Sequence, residues 1–181
     1  IYCVFILLFF FSCQSDNLYE VSSDALSPSI STGDRVIVDK SVESYSYGDI
    51  IVYKYAGSTL MEAWLYLHRI MGLPGDHVAV QNGVCVINSK VNESRYLGKK
   101  DMEYEYMPLF DLYEEILPNG EKINILLYPS DPYLNKDNMH IPDGCYYILG
   151  DSRSNSVDSR MIGLITKDMI IGKCLKALKP D

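Results

Sequence analysis

Short apolar segments separated by turn residues run through most of the chain. Such segments, rich in valine, isoleucine and tyrosine, are typical of strands, and glycine, proline or aspartate between them marks turns. Strands are predicted for Arg35 to Asp39, Ile50 to Tyr55, Leu60 to Met71, His77 to Val80, Val84 to Asn88, Ile123 to Tyr128, Cys145 to Leu149, Gly163 to Ile165 and Ile170 to Leu178. Asn82-Gly83 between two of them predicts a tight hairpin. This spacing favours a mainly β fold of antiparallel strands.

The segment from Glu93 to His140 differs from the rest of the chain because it combines many acidic residues and tyrosines with scattered proline and glycine. Within it, Leu109 to Ile116 predicts a short helix. We interpret residues 93–140 as a variable lobe inserted into one β domain that covers residues 14–181.

The first residues, Ile1 to Phe11, form an apolar run that is shorter than the ~20 residues needed to span a bilayer. The sequence does not begin with methionine, so we expect further residues before Ile1. Residues 1–13 are then the end of a hydrophobic membrane anchor. Alternatively, Phe10-Phe11-Ser12-Cys13 is a lipoprotein cleavage site with Cys13 as the lipidated residue. Either interpretation places the domain on the extracytoplasmic (periplasmic) face of a membrane.

Composition narrows the function classes. The chain has 181 residues, 48% of them hydrophobic and 22% charged, which is enough for a packed core. Its net charge of -8 and the lack of a basic patch argue against nucleic acid as a partner. The five cysteines include no C-x-x-C pair, so no metal site and no cofactor are predicted. Cys85 and Cys145 are interpreted as buried small apolar residues or as a disulfide.

One polar stretch, Gly150 to Arg160, lies between the strand-like segments Tyr146 to Leu149 and Met161 to Ile165. Polar loops between buried elements often carry function, although a solvated turn held by aspartate and serine side chains gives the same pattern. In an extended backbone, residues two apart lie on one face. That spacing predicts that Ser156, Asp158 and Arg160 face the same way.

Four sequence patterns in one order resemble those of the type I signal peptidases, peptidase family S26. The polar stretch matches G-D-x-R-x-x-S-x-D-S-R-x-x-G at every fixed position. The other three are Ser23 to Ile30 followed by Gly33-Asp34-Arg35, Tyr47 to Tyr53, and Leu67 to Asp76. The resemblance extends from about Tyr19 to Pro180 and is weakest between Glu93 and His140. It implies a coiled antiparallel β-sheet domain beside a membrane, and a bacterial serine endopeptidase acting on signal peptides of exported proteins.

The resemblance also implies a role for each candidate site residue, but the nucleophile is missing. In the family pattern S-M-x-P-[TS]-[LI] the first serine is the nucleophile, and here Ala25 takes that place because Pro28 fixes the register. The general-base position is His68, where bacterial members have lysine; histidine is typical of the endoplasmic-reticulum branch. An imidazole needs less desolvation than an ammonium group to act as a base near neutral pH.

The remaining roles implied by the resemblance are supporting ones. Ser23 matches the hydroxyl that helps the Ala25 backbone N–H to form an oxyanion hole, and Ser156 matches the residue that orients the base. Asp158 and Arg160 match a charge pair that supports the site wall. Arg69 and Asp76 are interpreted as structural.

Three hypotheses follow for function. The first is a membrane-bound signal peptidase I-like enzyme impaired by Ala25, either as a serine-to-alanine variant or as a natural member that lost its nucleophile. The second is an inactive peptide-binding or assembly module, a pseudoenzyme on the same fold. The third is an unrelated β-rich lipoprotein, which would leave the four ordered patterns to coincidence.

Overall fold

The computed structural model describes residues 17–56, 64–102, 109–128 and 130–180. Within these ranges the strands are β1 (Leu18–Glu20), β2 (Arg35–Asp39), β3 (Ile50–Tyr55), β4 (Trp64–Gly72), β5 (His77–Gln81), β6 (Val84–Ile87), β7 (Lys90–Val91), β8 (Glu93–Lys100), β9 (Phe110–Ile116), β10 (Lys122–Leu127), β11 (Lys136–His140), β12 (Cys145–Leu149), β13 (Ile165–Thr166) and β14 (Ile170–Leu178). The same ranges contain helix α1 (Ser159–Ile162) and the 3-10 turns Pro132–Leu134 and Lys167–Met169.

The strands pair into antiparallel sheets, as the spacing of the apolar runs predicts. The largest sheet has the order β1-β2-β14-β3-β4-β12-β13, a second has the order β10-β9-β8, and a third has the order β11-β5-β6-β7. All pairings between these described strands are antiparallel. The predicted fold class, mainly β and antiparallel, is therefore confirmed.

The β5–β6 hairpin forms where Asn-Gly predicts it. Gln81 pairs with Val84 across the turn, and the two central residues, Asn82 and Gly83, have φ values of 49° and 80°. A two-residue turn of this hand needs positive φ at both central positions, which asparagine and glycine adopt at low cost. The turn chemistry therefore sets the register of this hairpin.

The helix predicted over Leu109 to Ile116 is wrong, because these residues form strand β9 and the irregular residue before it. β9 lies between β8 and β10, and it is paired along its length on both sides. Leucine and glutamate favour a helix only weakly when isolated. Pairing on two sides, together with burial of Phe110 and Glu115, outweighs that preference.

The segment from Glu93 to His140 contributes to two sheets. β8, β9 and β10 form a sheet of their own, whereas β11 pairs with β5 in the neighbouring one. The lobe also contacts the polar stretch, because Leu126 donates its backbone N–H to the Asp151 carbonyl at 2.9 Å and accepts from the Arg153 N–H at 2.9 Å. β10 therefore extends its hydrogen bonding onto the loop that follows β12.

The apolar stretch after the polar loop is not extended throughout. Met161 and Ile162 lie in the single turn of α1, and the chain becomes a strand again only at Ile165. Asp158 is the N-cap of this turn and Gly163 its C-cap. An aspartate N-cap accepts a backbone N–H that would otherwise lack a partner, so the cap favours helical over extended backbone at this point.

Strand β4, which carries His68, packs into the core together with its neighbours β3 and β12. Ile51, Tyr53, Ile70 and Ile148, from the adjacent strands β3, β4 and β12, are each 0% exposed. Close-packed side chains of this kind resist displacement, so they hold the neighbouring His68 in a fixed position on β4.

Cys85, Cys145 and Cys174 are free thiols, which removes the disulfide alternative for Cys85 and Cys145. Burial raises the pKa of the Cys85 thiol, so this residue is a small apolar part of the core. The predicted anchor and Cys13, in residues 1–13, lie outside the described residues. So do the first residues of the strand predicted from Leu60. In the ranges that are described, no helix is both long and apolar enough to cross a membrane.

Candidate active site

Two pockets meet beside the polar loop. The first has a volume of about 430 Å³ and lies along the loop, with Tyr133, Asn155 and Val157 among its lining residues. The second has a volume of about 290 Å³, and its wall includes the apolar residues Val21, Leu26, Val36 and Val52. Both pockets share Ser23, Ala25, Tyr66 and His68. Candidate residues that lie far apart in the sequence are therefore brought together at the junction of the pockets.

His68 lies on β4 and is 2% exposed. Its Nε2 atom lies 3.0 Å from Ser156 Oγ, and its Nδ1 atom lies 3.0 Å from the hydroxyl of Tyr53. The strand pairing explains the second contact. Ile51 of β3 is opposite His68, so Tyr53 is its diagonal neighbour across the two strands. Both ring nitrogens therefore have a hydroxyl partner.

The surroundings keep His68 neutral. Burial lowers the pKa of this histidine from 6.5 to about 4, because the interior disfavours the charged imidazolium. The Asp158 charge opposes the lowering, Arg160 adds to it, and the Asp151 charge opposes it. A neutral imidazole can accept a proton from a hydroxyl within hydrogen-bond reach, the geometric requirement for a general base.

Ser156 is half-buried in the polar loop, and its position depends on a glycine. A Cβ atom on Gly150 would stand 2.4 Å from Ser156 Oγ and 2.4 Å from the Ala25 carbonyl oxygen. No side chain fits in that space. Gly150 thus lets the loop close onto Ala25 and lets the Ser156 hydroxyl reach His68. The first glycine of the sequence pattern is required here for space rather than for an unusual φ.

Ser23 and Ala25 lie in the turns after β1. The Ala25 carbonyl accepts a hydrogen bond from Ser152 N at 3.0 Å, which ties these turns to the polar loop. The Ala25 N–H donates to Ser23 Oγ at 3.2 Å. The two donors assigned to an oxyanion hole are therefore bonded to each other, and a bound oxyanion would have to displace that bond.

Asp158 and Arg160 form the predicted charge pair, although the backbone between them is not extended as predicted. Asp158 caps α1, and Arg160 reaches back so that Nε and one terminal nitrogen each lie 2.8 Å from a carboxylate oxygen of Asp158. Asp158 also accepts backbone hydrogen bonds from the Gly150 N–H at 3.0 Å and from the Arg160 N–H at 3.2 Å. Arg160 also donates to the carbonyls of Tyr133 and Arg153. The pair thus holds the two ends of the polar loop together.

A second buried pair, Arg153 and Glu115, has no counterpart among the predicted site residues. Arg153 is 1% exposed and Glu115 is 0% exposed, with 2.7 Å between the Arg153 guanidinium and Glu115 Oε2. Arg153 also donates to the carbonyls of Gly150 and Gly83. Glu115 lies on β9, where its other oxygen accepts from the Cys85 N–H at 3.0 Å. The polar loop is therefore ionically paired to the centre of the lobe.

Arg69 follows His68 on β4 and forms a two-point pair with Asp151. Nε lies 2.8 Å from one carboxylate oxygen and a terminal nitrogen 2.7 Å from the other, and Ser29 donates to the same carboxylate at 2.6 Å. Asp76 accepts from Tyr47, Asn88 and the Leu73 N–H. These contacts are consistent with the structural roles proposed for Arg69 and Asp76.

Residues 17–56, 64–102, 109–128 and 130–180 contain no group of three histidine, cysteine, aspartate or glutamate side chains placed to hold a metal ion. Among these residues the site offers a neutral buried imidazole bonded to a hydroxyl that lines a pocket. This arrangement can remove a proton from a hydroxyl group.

Comparison with known proteins gives the family. Residues 1–177 match the family described as signal peptidase, peptidase S26. The chain therefore belongs to the signal peptidase family S26, which confirms the resemblance seen in the four sequence patterns.

Two relatives with related sequences agree with this assignment. The chain is 33% identical over 138 residues to signal peptidase I of Rickettsia prowazekii, covering 70% of this chain and 49% of that protein. It is 28% identical over 173 residues to signal peptidase IB of Staphylococcus aureus, covering 93% of this chain and 81% of that protein. Thus the match spans about half the length of the first relative. A signal peptidase I structure from Enterococcus faecalis aligns with a TM-score of 0.41 at 19% identity, covering 74% of this chain and 98% of that one.

Proposed function

We propose that this chain is a signal peptidase I-like, membrane-bound serine endopeptidase for the signal peptides of exported proteins, with turnover impaired by Ala25. The observation that carries the proposal is the junction of the two pockets, where His68 and Ser156 are bonded beside a position 25 that has no hydroxyl. Ser23 and His68 line both pockets and Ser156 lines the first, so three residues to which the family resemblance assigns roles lie close to position 25. The acyl acceptor of the ordinary reaction is absent.

A second candidate function follows from the same alanine. A chain that binds an extended peptide without cutting it would act as a binding or assembly module. The apolar wall of the second pocket suits small aliphatic side chains of such a peptide. Small side chains at the first and third positions before the cut are what the family resemblance implies. The two candidates share the binding step and differ only in turnover.

Binding is therefore tested first. A fluorescent extended peptide with alanines at the first and third positions before the cut is expected to bind the chain, as measured by anisotropy. Ala25→Trp is expected to weaken binding at least tenfold, because the indole would fill the junction of both pockets. Ala56→Trp is the matched control, since Ala56 is exposed at the end of β3 and lines neither pocket.

Two results would contradict the peptide-binding proposal. One is no binding by a folded chain, and the other is equal affinity in Ala25→Trp and Ala56→Trp. Substitution of both peptide alanines by lysine is expected to abolish binding, which separates pocket recognition from general adhesion. Product analysis of the same mixtures distinguishes slow cleavage from binding alone.

Membrane attachment is a further part of this proposal, supported by the apolar run Ile1 to Phe11. The full chain is expected in the membrane fraction, and a chain beginning at Asp16 in the soluble fraction. Labelling with a radioactive fatty acid separates the two interpretations of residues 1–13, because a lipoprotein incorporates the label and loses it in Cys13→Ser, whereas a chain held only by an apolar anchor incorporates none. Recovery of the full chain entirely in the soluble fraction would remove the attachment proposal.

A further inference from the structure

We propose that Ser156 is itself a nucleophile, activated by His68 and supported by Tyr53, so that this chain can form an acyl-enzyme without a serine at position 25. The inference rests on the proposed function, because the acyl donor is a peptide or ester carbonyl bound in the first pocket. Hydroxyl nucleophiles are weak until an adjacent base takes the proton. A nucleophile bonded to a base, with the base oriented by a third group, is the structural signature of such activation.

The distances fit that signature. Ser156 Oγ is 3.0 Å from His68 Nε2, and the Tyr53 hydroxyl is 3.0 Å from His68 Nδ1. Among the hydrogen bonds of the described residues, Ser156 supplies the hydroxyl at Nε2, and Ala25 has none to offer. In a chain with a serine at position 25, the Ser156 hydroxyl would orient His68 as the base. In this chain the Ser156 hydroxyl is itself the group bonded to that base.

Ser156 is also accessible from the pocket. It is half-buried, and it lines the first pocket next to Asn155 and Val157. The close approach of Gly150 fixes its side chain between the loop backbone and His68. A carbonyl carbon that enters the first pocket can thus approach an oxygen whose proton already has an acceptor.

Tyr53 is a positioning residue in this arrangement. For Nε2 to accept the Ser156 proton, Nδ1 must carry its hydrogen and donate it to the Tyr53 oxygen. Burial and the Asp158 charge raise the pKa of Tyr53, so the phenol stays neutral. A neutral phenol orients the ring but offsets the imidazolium charge less than a carboxylate would. Activated esters are therefore expected to be better acyl donors for Ser156 than amides.

The chemistry balances with groups on the chain and water. Ser156 Oγ attacks the acyl carbon, and its proton moves to His68 Nε2. The bond from the acyl carbon to the leaving group breaks, and an amine leaving group takes the proton from Nε2. Water then attacks the resulting ester, giving a proton to His68, and that proton returns to Ser156 Oγ as the carboxylic acid departs.

The test uses the full chain with a fluorophosphonate probe and with p-nitrophenyl butyrate. Tandem mass spectrometry is expected to map the phosphonyl group to Ser156, and the ester is expected to give a burst of p-nitrophenol. Ser156→Ala should reduce ester turnover to the uncatalysed background. His68→Gln should lower it by about 10² or more, the usual contribution of a general base. Ser44→Ala is the matched control, an exposed serine that lines neither pocket.

Tyr53→Phe removes one oxygen and tests separately whether Tyr53 positions His68. It is expected to lower the acylation rate constant while leaving the dissociation constant of the alanine peptide unchanged, which a general loss of structure would not do. Weakened peptide binding at an unchanged acylation rate would overturn the role of Tyr53.

Mapping the label on the unaltered chain does not depend on the folding of any variant. A probe found on another serine, or none on Ser156 in a chain that still binds the alanine peptide, would overturn the inference and leave the binding function standing. Labelling of Ser156 in a chain that binds no peptide would support the nucleophile and overturn the proposed function instead.

Discussion

Ala25→Ser is expected to raise cleavage of a preprotein by about a thousandfold or more over that of the unaltered chain. Loss of a serine nucleophile costs roughly a million-fold in turnover in a well-studied serine protease, so restoring one has room for a large gain. The new hydroxyl would lie at the junction of the pockets that Ala25 and His68 share. One oxygen is added to a residue whose carbonyl is already fixed by Ser152. The measurement is cleavage, in detergent, of a preprotein with alanines before the cut.

The pH dependence of the Ala25→Ser chain tests the identity of the base. His68 must be neutral to accept the serine proton, and burial lowers its pKa to about 4. Activity is therefore expected to persist as pH falls from 7 through 6.5, the ordinary value for histidine, and to be lost as pH falls through about 4. An acid limb near 6.5 would show that His68 is exposed to solvent in the working enzyme.

Two controls define the outcome for Ala25→Ser. Ala25→Ser/His68→Gln should lower the rate to that of the unaltered chain or below it, since glutamine cannot accept the proton. Equal inertness of the unaltered and Ala25→Ser chains, both folded and both binding the peptide, would mean that the site has lost more than its nucleophile. The binding-module function would then be preferred.

Glu115→Gln is expected to destabilise the fold by about 3–5 kcal/mol, the cost of removing one partner from a buried ion pair. The substitution keeps the shape of the side chain but leaves the Arg153 guanidinium, 1% exposed, without its carboxylate. Urea unfolding at pH 7 measures the loss. The matched control is Glu114→Gln on the same strand, because its partners Arg95 and Lys122 are largely exposed. Surface pairs of that kind contribute about 0–1 kcal/mol.

A double substitution separates charge from packing. Glu115→Leu/Arg153→Met removes both charges, and apolar replacement of a whole buried pair is often neutral or stabilising. Most of the lost stability should return, whereas peptide affinity should not, because the methionine cannot bond the carbonyls of Gly150 and Gly83 that fix the loop. A Glu115→Gln chain as stable as Glu114→Gln would show that the pair contributes nothing to folding.

The sequence predicts the parts of this structure that have a local signal. Turn chemistry at Asn82-Gly83 gives the register of one hairpin, and apolar runs bounded by turn residues give most strands. Strand β9 could not be predicted in this way, because its acidic residues favour a helix locally and only pairing with β8 and β10 decides otherwise.

The candidate site likewise has parts that the sequence predicts and parts that it does not. The Asp158–Arg160 pair and the Ser156–His68 contact could be anticipated because family patterns place those residues together. The partners Glu115 and Tyr53 could not, since each reaches the site through strand pairings that no short pattern records. No local sign distinguishes Glu115, because the same strand also carries Asp111 and Glu114.

The charge pairs around the polar loop bear on how such a chain evolves. Four charged residues of the polar loop are buried and ion-paired: Asp151 with Arg69, Arg153 with Glu115, and Asp158 with Arg160. Replacing any of them leaves an unpaired charge in the interior. Substitution at position 25 has no comparable cost in stability, since the side chain there makes no ion pair. Selection for folding alone would then preserve the motif after hydrolysis had ceased to matter. The presence of these residues in a sequence therefore indicates a protein that folds. Whether such a protein can hydrolyse peptides is indicated by position 25, which here has a methyl group and no hydroxyl.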